Sequence, residues 1–291
     1  EIGRGASCLV YDAYYTDSGK HRVRIKECFP YHIKATRNPA SHIIPAKGRE
    51  AQFEAAKTAF SDAYKRNTEL RNREGLINAT IDSKWMHAQN NTIYSIMGYI
   101  EGTDYQKFTE ECLKDIFTRM KRLCKLLAGY HKNGYLHLDI KPGNILIPSD
   151  TKEQIVLFDF DSLLRIEDLK NGDEIHLSCS PGFSAPELVQ GDAGRIGATA
   201  DIFSIGAVIF YKIFAKTPGA WDLAWNAAYD FSAIAFADDR YQPKLFPKLT
   251  EFFHKTFSAA VLRYQTMEEV TAALQELEKL SDVEGVMLLH N

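Results

Sequence analysis

Apolar residues alternate with polar ones along Leu9 to Tyr15, His21 to Glu27 and Thr92 to Ile100, a period of two that predicts strands. One stretch breaks this regime. From about Arg49, residues Phe53, Ala56, Phe60 and Tyr64 recur at helical spacing and share one face, so a helix should pack there against the strands. After Gly102 the period changes. Leu113, Ile116, Phe117, Met120, Leu123, Leu127 and Tyr130 mark a helix within Glu110 to Lys132, and further helical segments follow from Asp201. The pattern predicts an α+β architecture of two lobes: a small β-rich lobe over 1–97, a hinge at 98–103 and a larger, mainly helical lobe over 104–291.

Composition narrows this picture only a little. With 291 residues the chain can bury a sizeable core, and a net charge of −3 gives no overall field that would draw nucleic acid or a membrane surface. The five cysteines are an odd set without a CxxC pair, which argues against a disulfide framework or a thiolate zinc site and for a reducing, cytoplasmic setting. The longest apolar stretch, about Ile205 to Phe214, is too short to span a bilayer and reads as a buried helix. The chain opens already inside a glycine-rich turn, as a piece of a longer protein would.

The chemistry concentrates in a few segments. Gly3 and Gly5 flank a tight turn between strand-like runs, where backbone N–H groups can approach phosphates, although an ordinary hairpin turn has the same look. Lys26 and Arg24 share one face of their strand. A buried ammonium calls for a carboxylate, and Glu50 or Glu54 on the following helix can supply it, Glu50 being preferred because it lies nearer the edge of the apolar stripe. The run His137-Leu138-Asp139-Ile140-Lys141-Pro142-Gly143-Asn144 is the densest signal. Phosphoryl transfer to a hydroxyl requires a proton acceptor, a cation beside the phosphoryl group and an oxygen ligand for Mg²⁺, roles open to Asp139, Lys141 and Asn144. Asp159, at the end of the apolar run Val156-Leu157-Phe158, is a second metal-ligand candidate.

In this order the segments resemble the eukaryotic-like protein kinases, over nearly the whole chain. Ala185-Pro186-Glu187 is similar to the end of that family's activation segment, Asp201 to its buried helix aspartate, and Arg263 to the arginine that pairs with the Glu187 position. The resemblance implies ATP and Mg²⁺ as cofactors and a protein substrate, with catalytic roles for Asp139, Lys141, Lys26 and Glu50. It also implies nucleotide contacts from Gly3, Gly5, Val10, Lys26, Met97, Tyr99 and Leu146, and metal ligands at Asn144 and Asp159. Lys141, two residues after Asp139, is similar to the Ser/Thr branch.

Four positions depart from the family pattern. Leu138 stands where an arginine usually gathers a phosphorylated loop, which argues against activation by loop phosphorylation. Ser162, Ser178, Ser180 and Ser184 then read as ordinary loop residues. Cys8 replaces a loop glycine, Asp161 replaces the glycine after Phe160, and Arg24 replaces a small residue packed on the base. Two rival readings follow: a kinase-like binding module without turnover, and a small-molecule phosphotransferase, the latter opposed by Ala185-Pro186-Glu187 and the Asp201 helix.

Overall fold

The computed structural model describes residues 3–5, 7–16, 20–75, 83–151, 153–170, 179–224, 226–236, 242–282 and 286–289. It divides into two units, Glu1–Glu101 and Gly102–Asn291.

In the first unit, the alternating runs form β1 (Gly3–Arg4), β2 (Cys8–Tyr15) and β3 (His21–Cys28), and the run from Thr92 ends earlier than its pattern, at Gly98. A short hairpin, β4 (Thr36–Arg37) and β5 (Ile43–Ile44), and a long helix, α1 (Glu50–Arg73), precede β6 (Ser83–Gln89) and β7 (Thr92–Gly98). The main sheet is antiparallel in the order β1-β2-β3-β7-β6. β6 was not foreseen from periodicity. Its turn into β7 is Asn90-Asn91, both at positive φ (53° and 58°), the backbone that a two-residue hairpin with the right twist requires.

α1 packs on β7, β6 and β3 through buried Phe53, Phe60, Tyr64 and Leu70. The segment between β3 and α1 builds a core of its own, with Phe29, Ile33, Ala35 and Ile43 packed on Leu9 and Phe53. It also reaches the sheet through Arg37, whose guanidinium donates to buried Glu27 Oε2 at 2.6 Å. Tyr11 and Tyr94 donate to the same carboxylate at 2.7 and 2.8 Å, so a charge inside the sheet is fully answered.

The second unit contains β8 (Gly102–Asp104), α2 (Leu113–Lys132), β9 (Tyr135–Leu136), β10 (Ile145–Pro148), β11 (Val156–Leu157), β12 (Leu164–Arg165), α3 (Ile166–Lys170) and α4 (Pro186–Val189). After these come α5 (Ala198–Phe214), β13 (Ile234–Phe236), α6 (Gln242–Phe257), α7 (Met267–Ser281) and β14 (Val286–Leu288). α5 is buried along nearly its whole length, and α2 and α6 pack against it. Each leucine- or phenylalanine-sized side chain in such a core contributes about 1.5–3 kcal/mol. Gly206 lets α5 meet α6, since a Cβ there would lie 2.5 Å from Thr256 Oγ1.

Lys212, inside the apolar run of α5, is buried because Glu111 waits for it at 2.7 Å. Arg119 of α2 and the Tyr105 hydroxyl donate to the other Glu111 oxygen at 2.5 and 3.0 Å, tying the loop before α2 to both helices. Among the described residues no helix is long and apolar enough to cross a membrane.

Candidate functional site

β9 delivers the chain into the loop His137 to Lys141, and a single 3-10 turn, Pro142–Asn144, carries it into β10. The loop is suspended from α5. The Asp201 carboxylate accepts the backbone N–H of His137 at 2.9 Å and of Leu138 at 2.8 Å, and His131 Nε2 lies 2.8 Å from Oδ2. Burial alone would raise the Asp201 carboxyl, but the hydrogen bond and charge of His131 and the His137 backbone outweigh it and hold it below the usual carboxylate value. Burial pushes the His137 imidazole down, against the pull of Asp201, Asp139 and Asp159, so a neutral ring packs edge-on against Phe160 with centroids 5.8 Å apart.

That suspension presents Asp139 to a set of donors. Lys141 Nζ lies 3.1 and 2.9 Å from the two carboxylate oxygens, and Asn144 Nδ2 donates to the Asp139 carbonyl at 2.8 Å and to Oδ2 at 2.9 Å. Ser180 completes the group, with its hydroxyl 2.6 Å from Asp139 Oδ1 and 2.8 Å from Lys141 Nζ. Sequence reasoning passed over Ser180 as a loop residue. The available signal was its place five residues before Ala185, and Ser178, weighed alongside it, lies outside the described residues.

The segment that carries Ser180 is itself anchored. Ser180 donates its N–H to Ser184 Oγ at 2.9 Å, and Gly182 takes φ +78° with Thr217 so close that an added Cβ would lie 2.5 Å from it. Glu187, just inside α4, meets Arg263 through two bonds, of 2.5 and 2.9 Å, both side chains being buried. The pairing expected of these two residues is present. Arg263 also donates to the carbonyls of Ser258 and Thr199, so four hydrogen bonds hold its guanidinium.

Asn144 spends its Nδ2 on Asp139, which leaves Oδ1 as the oxygen to offer a cation. The Phe158 N–H donates to the Asn144 carbonyl at 3.2 Å, which brings Asp159 one residue beyond that bond. Asp159 Oδ1 accepts the Asp161 N–H at 3.1 Å. Among the described residues no cluster of three or more His, Cys, Asp or Glu could hold a metal. One amide oxygen and one carboxylate suit Mg²⁺, which binds few protein ligands and completes its shell from phosphates and water.

In the first unit, register puts Val10, Lys26 and Ser95 side by side, and Asp12, Arg24 and Met97 next to them, on one face of the sheet. Gly3 lies opposite Val10. Lys26 is 3% exposed, and its Nζ is 5.8 Å from the ring centroid of Tyr64 in α1. Glu50 does not meet it. Tyr64 is fourteen residues further along α1, about 21 Å of helix, and Glu50 is exposed, accepting the Gly48 N–H at 3.2 Å. Glu54 is exposed as well and pairs with Lys57 at 2.8 Å. Periodicity reports a face of α1 and not an axial position, so the apolar stripe does not say which turn of the helix lies beside Lys26. Arg24 lies across the sheet, 3.2 Å from Asp12 Oδ1 and 5.3 Å over the Tyr99 ring, which Arg22 also covers at 3.9 Å. Leu146 lies in the second unit, in β10 opposite Asp104.

A family model for the protein kinase domain matches residues 55–268. The chain belongs to the protein kinase family. The matched stretch begins within α1, so the glycine turn, Lys26 and the β4–β5 hairpin precede it. Among curated relatives, this kinase chain is 33% identical over 144 residues to serine/threonine-protein kinase ULK3 of Rattus norvegicus, covering 48% of the chain and 29% of that protein. It is 35% identical over 130 residues to maternal embryonic leucine zipper kinase of Xenopus tropicalis, covering 41% and 19%. The chain therefore spans less than a third of the length of these relatives. In fold it is similar to the solved structure of PpkA-294 in its apo form, with a TM-score of 0.66 at 23% identity over 94% of this chain and 93% of that one. The twitchin kinase region of C. elegans gives 0.63 at 18% identity, over 95% of this chain and 44% of that one.

Proposed function

We propose that this domain transfers the γ-phosphoryl group of ATP to serine or threonine hydroxyls of a protein substrate. The observation that carries this reading is the Asp139 carboxylate, gathered by Lys141 and Asn144 and already accepting a serine hydroxyl, that of Ser180, at 2.6 Å. A carboxylate arranged to accept one hydroxyl proton can accept that of a substrate. Lys141 would neutralise charge on the phosphoryl group in flight, and Lys26 would hold the nucleotide phosphates. Asn144 and Asp159 would hold Mg²⁺, which when bound neutralises phosphate charge.

Asp139→Asn tests the assignment. It keeps the shape and removes the acceptor, so labelled-ATP transfer to a serine peptide should fall by about 10²–10⁴-fold, while the Mg-ATP thermal shift is retained. Transfer at the wild-type rate would remove Asp139 from this role.

A second reading, a binding module without turnover, is favoured by one observation: Glu50, the acid expected to pair with Lys26, is exposed and accepts the Gly48 N–H. Mg-ATP raises the Tm of a chain that binds it, by mass action. A Tm unmoved by millimolar Mg-ATP supports the module.

A further inference from the structure

Cys8 and Cys28 are Cα partners across β2 and β3. The Phe29 N–H donates to the Ser7 carbonyl at 2.8 Å, so the ladder's bonds fall outside the cysteines and make them a non-hydrogen-bonded pair. Such pairs hold their Cα atoms about 4.5 Å apart with their side chains at closest approach. A disulfide needs a Cα separation of roughly 4.4–6.8 Å. Paired residues point to the same face, so both thiols lie on the Val10 and Lys26 side of the sheet. Both cysteines are reduced and buried, at 3% and 2% exposure. The other three lie in the second unit, and Cys179 alone among them is exposed.

The turn beside Cys8 is lightly held. β1 is two residues long, lies at the sheet edge and pairs with Val10 and Leu9. The turn is held further by the Gly5 N–H on the Cys8 carbonyl at 2.9 Å and by Arg4 over the Tyr31 ring at 5.2 Å. Gly5 leaves room for the sulfur, since a Cβ there would lie 3.2 Å from Cys8 Sγ. An edge strand with so few bonds opens locally at low free-energy cost, and opening it moves Gly5 away from the Cys8 sulfur.

We propose that Cys8 and Cys28 form a redox pair whose disulfide pins the glycine turn to β3, two residues beyond Lys26. With a peroxide as oxidant, the Cys8 thiolate attacks the O–O bond, giving a sulfenic acid and one water once the leaving hydroxide is protonated. The Cys28 thiolate then attacks that sulfur and expels a second water. Two thiols and one peroxide thus become one disulfide and two waters. The consequence for nucleotide rests on the function proposed above: a pinned turn closes poorly over phosphates, so the oxidised chain loses its response to Mg-ATP.

The chain is treated with hydrogen peroxide, quenched, denatured and alkylated, then mapped by mass spectrometry. The expected product has two alkylatable thiols fewer than the five of the reduced chain and a Cys8–Cys28 cross-linked peptide. Cys8→Ser and Cys28→Ser should each abolish that peptide, Cys179→Ser should leave it, and dithiothreitol should reverse it. Five alkylatable thiols after treatment, or a cross-link through Cys179, overturns the pair. Thermal shifts with Mg-ATP before and after oxidation separate the two claims. No shift in the reduced chain removes the nucleotide reading and leaves the mapped disulfide standing, whereas a shift that survives oxidation overturns the pinning.

Discussion

Asp201 accepts the backbone N–H of Leu138 at 2.8 Å, and Leu138 sits at φ 63° with 1% of its surface exposed. A left-handed backbone costs a residue of this kind about 1–2 kcal/mol, so the aspartate holds a conformation the leucine would not choose. The strain turns the loop so that Asp139 faces Lys141, Asn144 and Ser180.

Asp201→Asn therefore damages fold and site together. The amide has one acceptor oxygen for donors that the carboxylate now divides between two, and its NH₂ would face backbone N–H groups. Breaking such a buried charged network costs about 3 kcal/mol, which for a domain this size lowers Tm by about 6–12 °C. A Tm within about 2 °C of wild type would show that the loop holds itself.

The same network sets a pH dependence. The folded-state pKa of His137 lies below its ordinary 6.5, so between those two values the unfolded chain binds more protons. Stability is then full above 6.5 and falls as pH drops toward the folded pKa. Asp201, also lowered, adds a second loss in more acid solution, below its ordinary 3.8. Tm measured from about pH 8 to about pH 5 should fall in wild type, and less steeply in His137→Gln. Parallel curves for the two proteins would assign the loss to other groups.

Ser180→Ala removes a hydroxyl that bonds a charged group on each side. A hydrogen bond to a charge contributes about 1.5–3 kcal/mol, so kcat for peptide phosphorylation should fall about 10- to 150-fold. Ser180→Thr should keep most of it. If alanine and threonine behave alike, the hydroxyl has no part in turnover.

Arg263→Lys tests the anchor of the segment that carries Ser180. Lysine cannot reproduce the two-pronged contact with Glu187 or reach the Ser258 and Thr199 carbonyls as well. A loss of about 2–4 kcal/mol in urea unfolding is expected, and a double-mutant cycle with Glu187→Gln should show coupling above about 1 kcal/mol. Additive effects would mean that the two side chains act separately.

Much of this protein is legible in its sequence. Strands announce themselves by a period of two and helices by 3.6, so β2, β3, α1, α2 and the burial of α5 could be read from local pattern alone. Asp139, Lys141 and Asn144 were legible because they are close in sequence and their chemistry depends on residue type. Glu187 with Arg263 could be paired only through the family resemblance, since 76 residues separate them.

Tertiary structure decided the rest. Which α1 side chain stands beside Lys26 depends on how far the helix has slid along the sheet, a quantity absent from its periodicity, and it came out as Tyr64 in place of Glu50. Ser180 reaches Asp139 only because Gly182, Glu187 and Arg263 hold its segment there. Arg24 lies toward Asp12 and Tyr99 because strand register made them neighbours. Residue types set which chemistry was possible; contacts between segments distant in the chain set which groups were close enough to perform it.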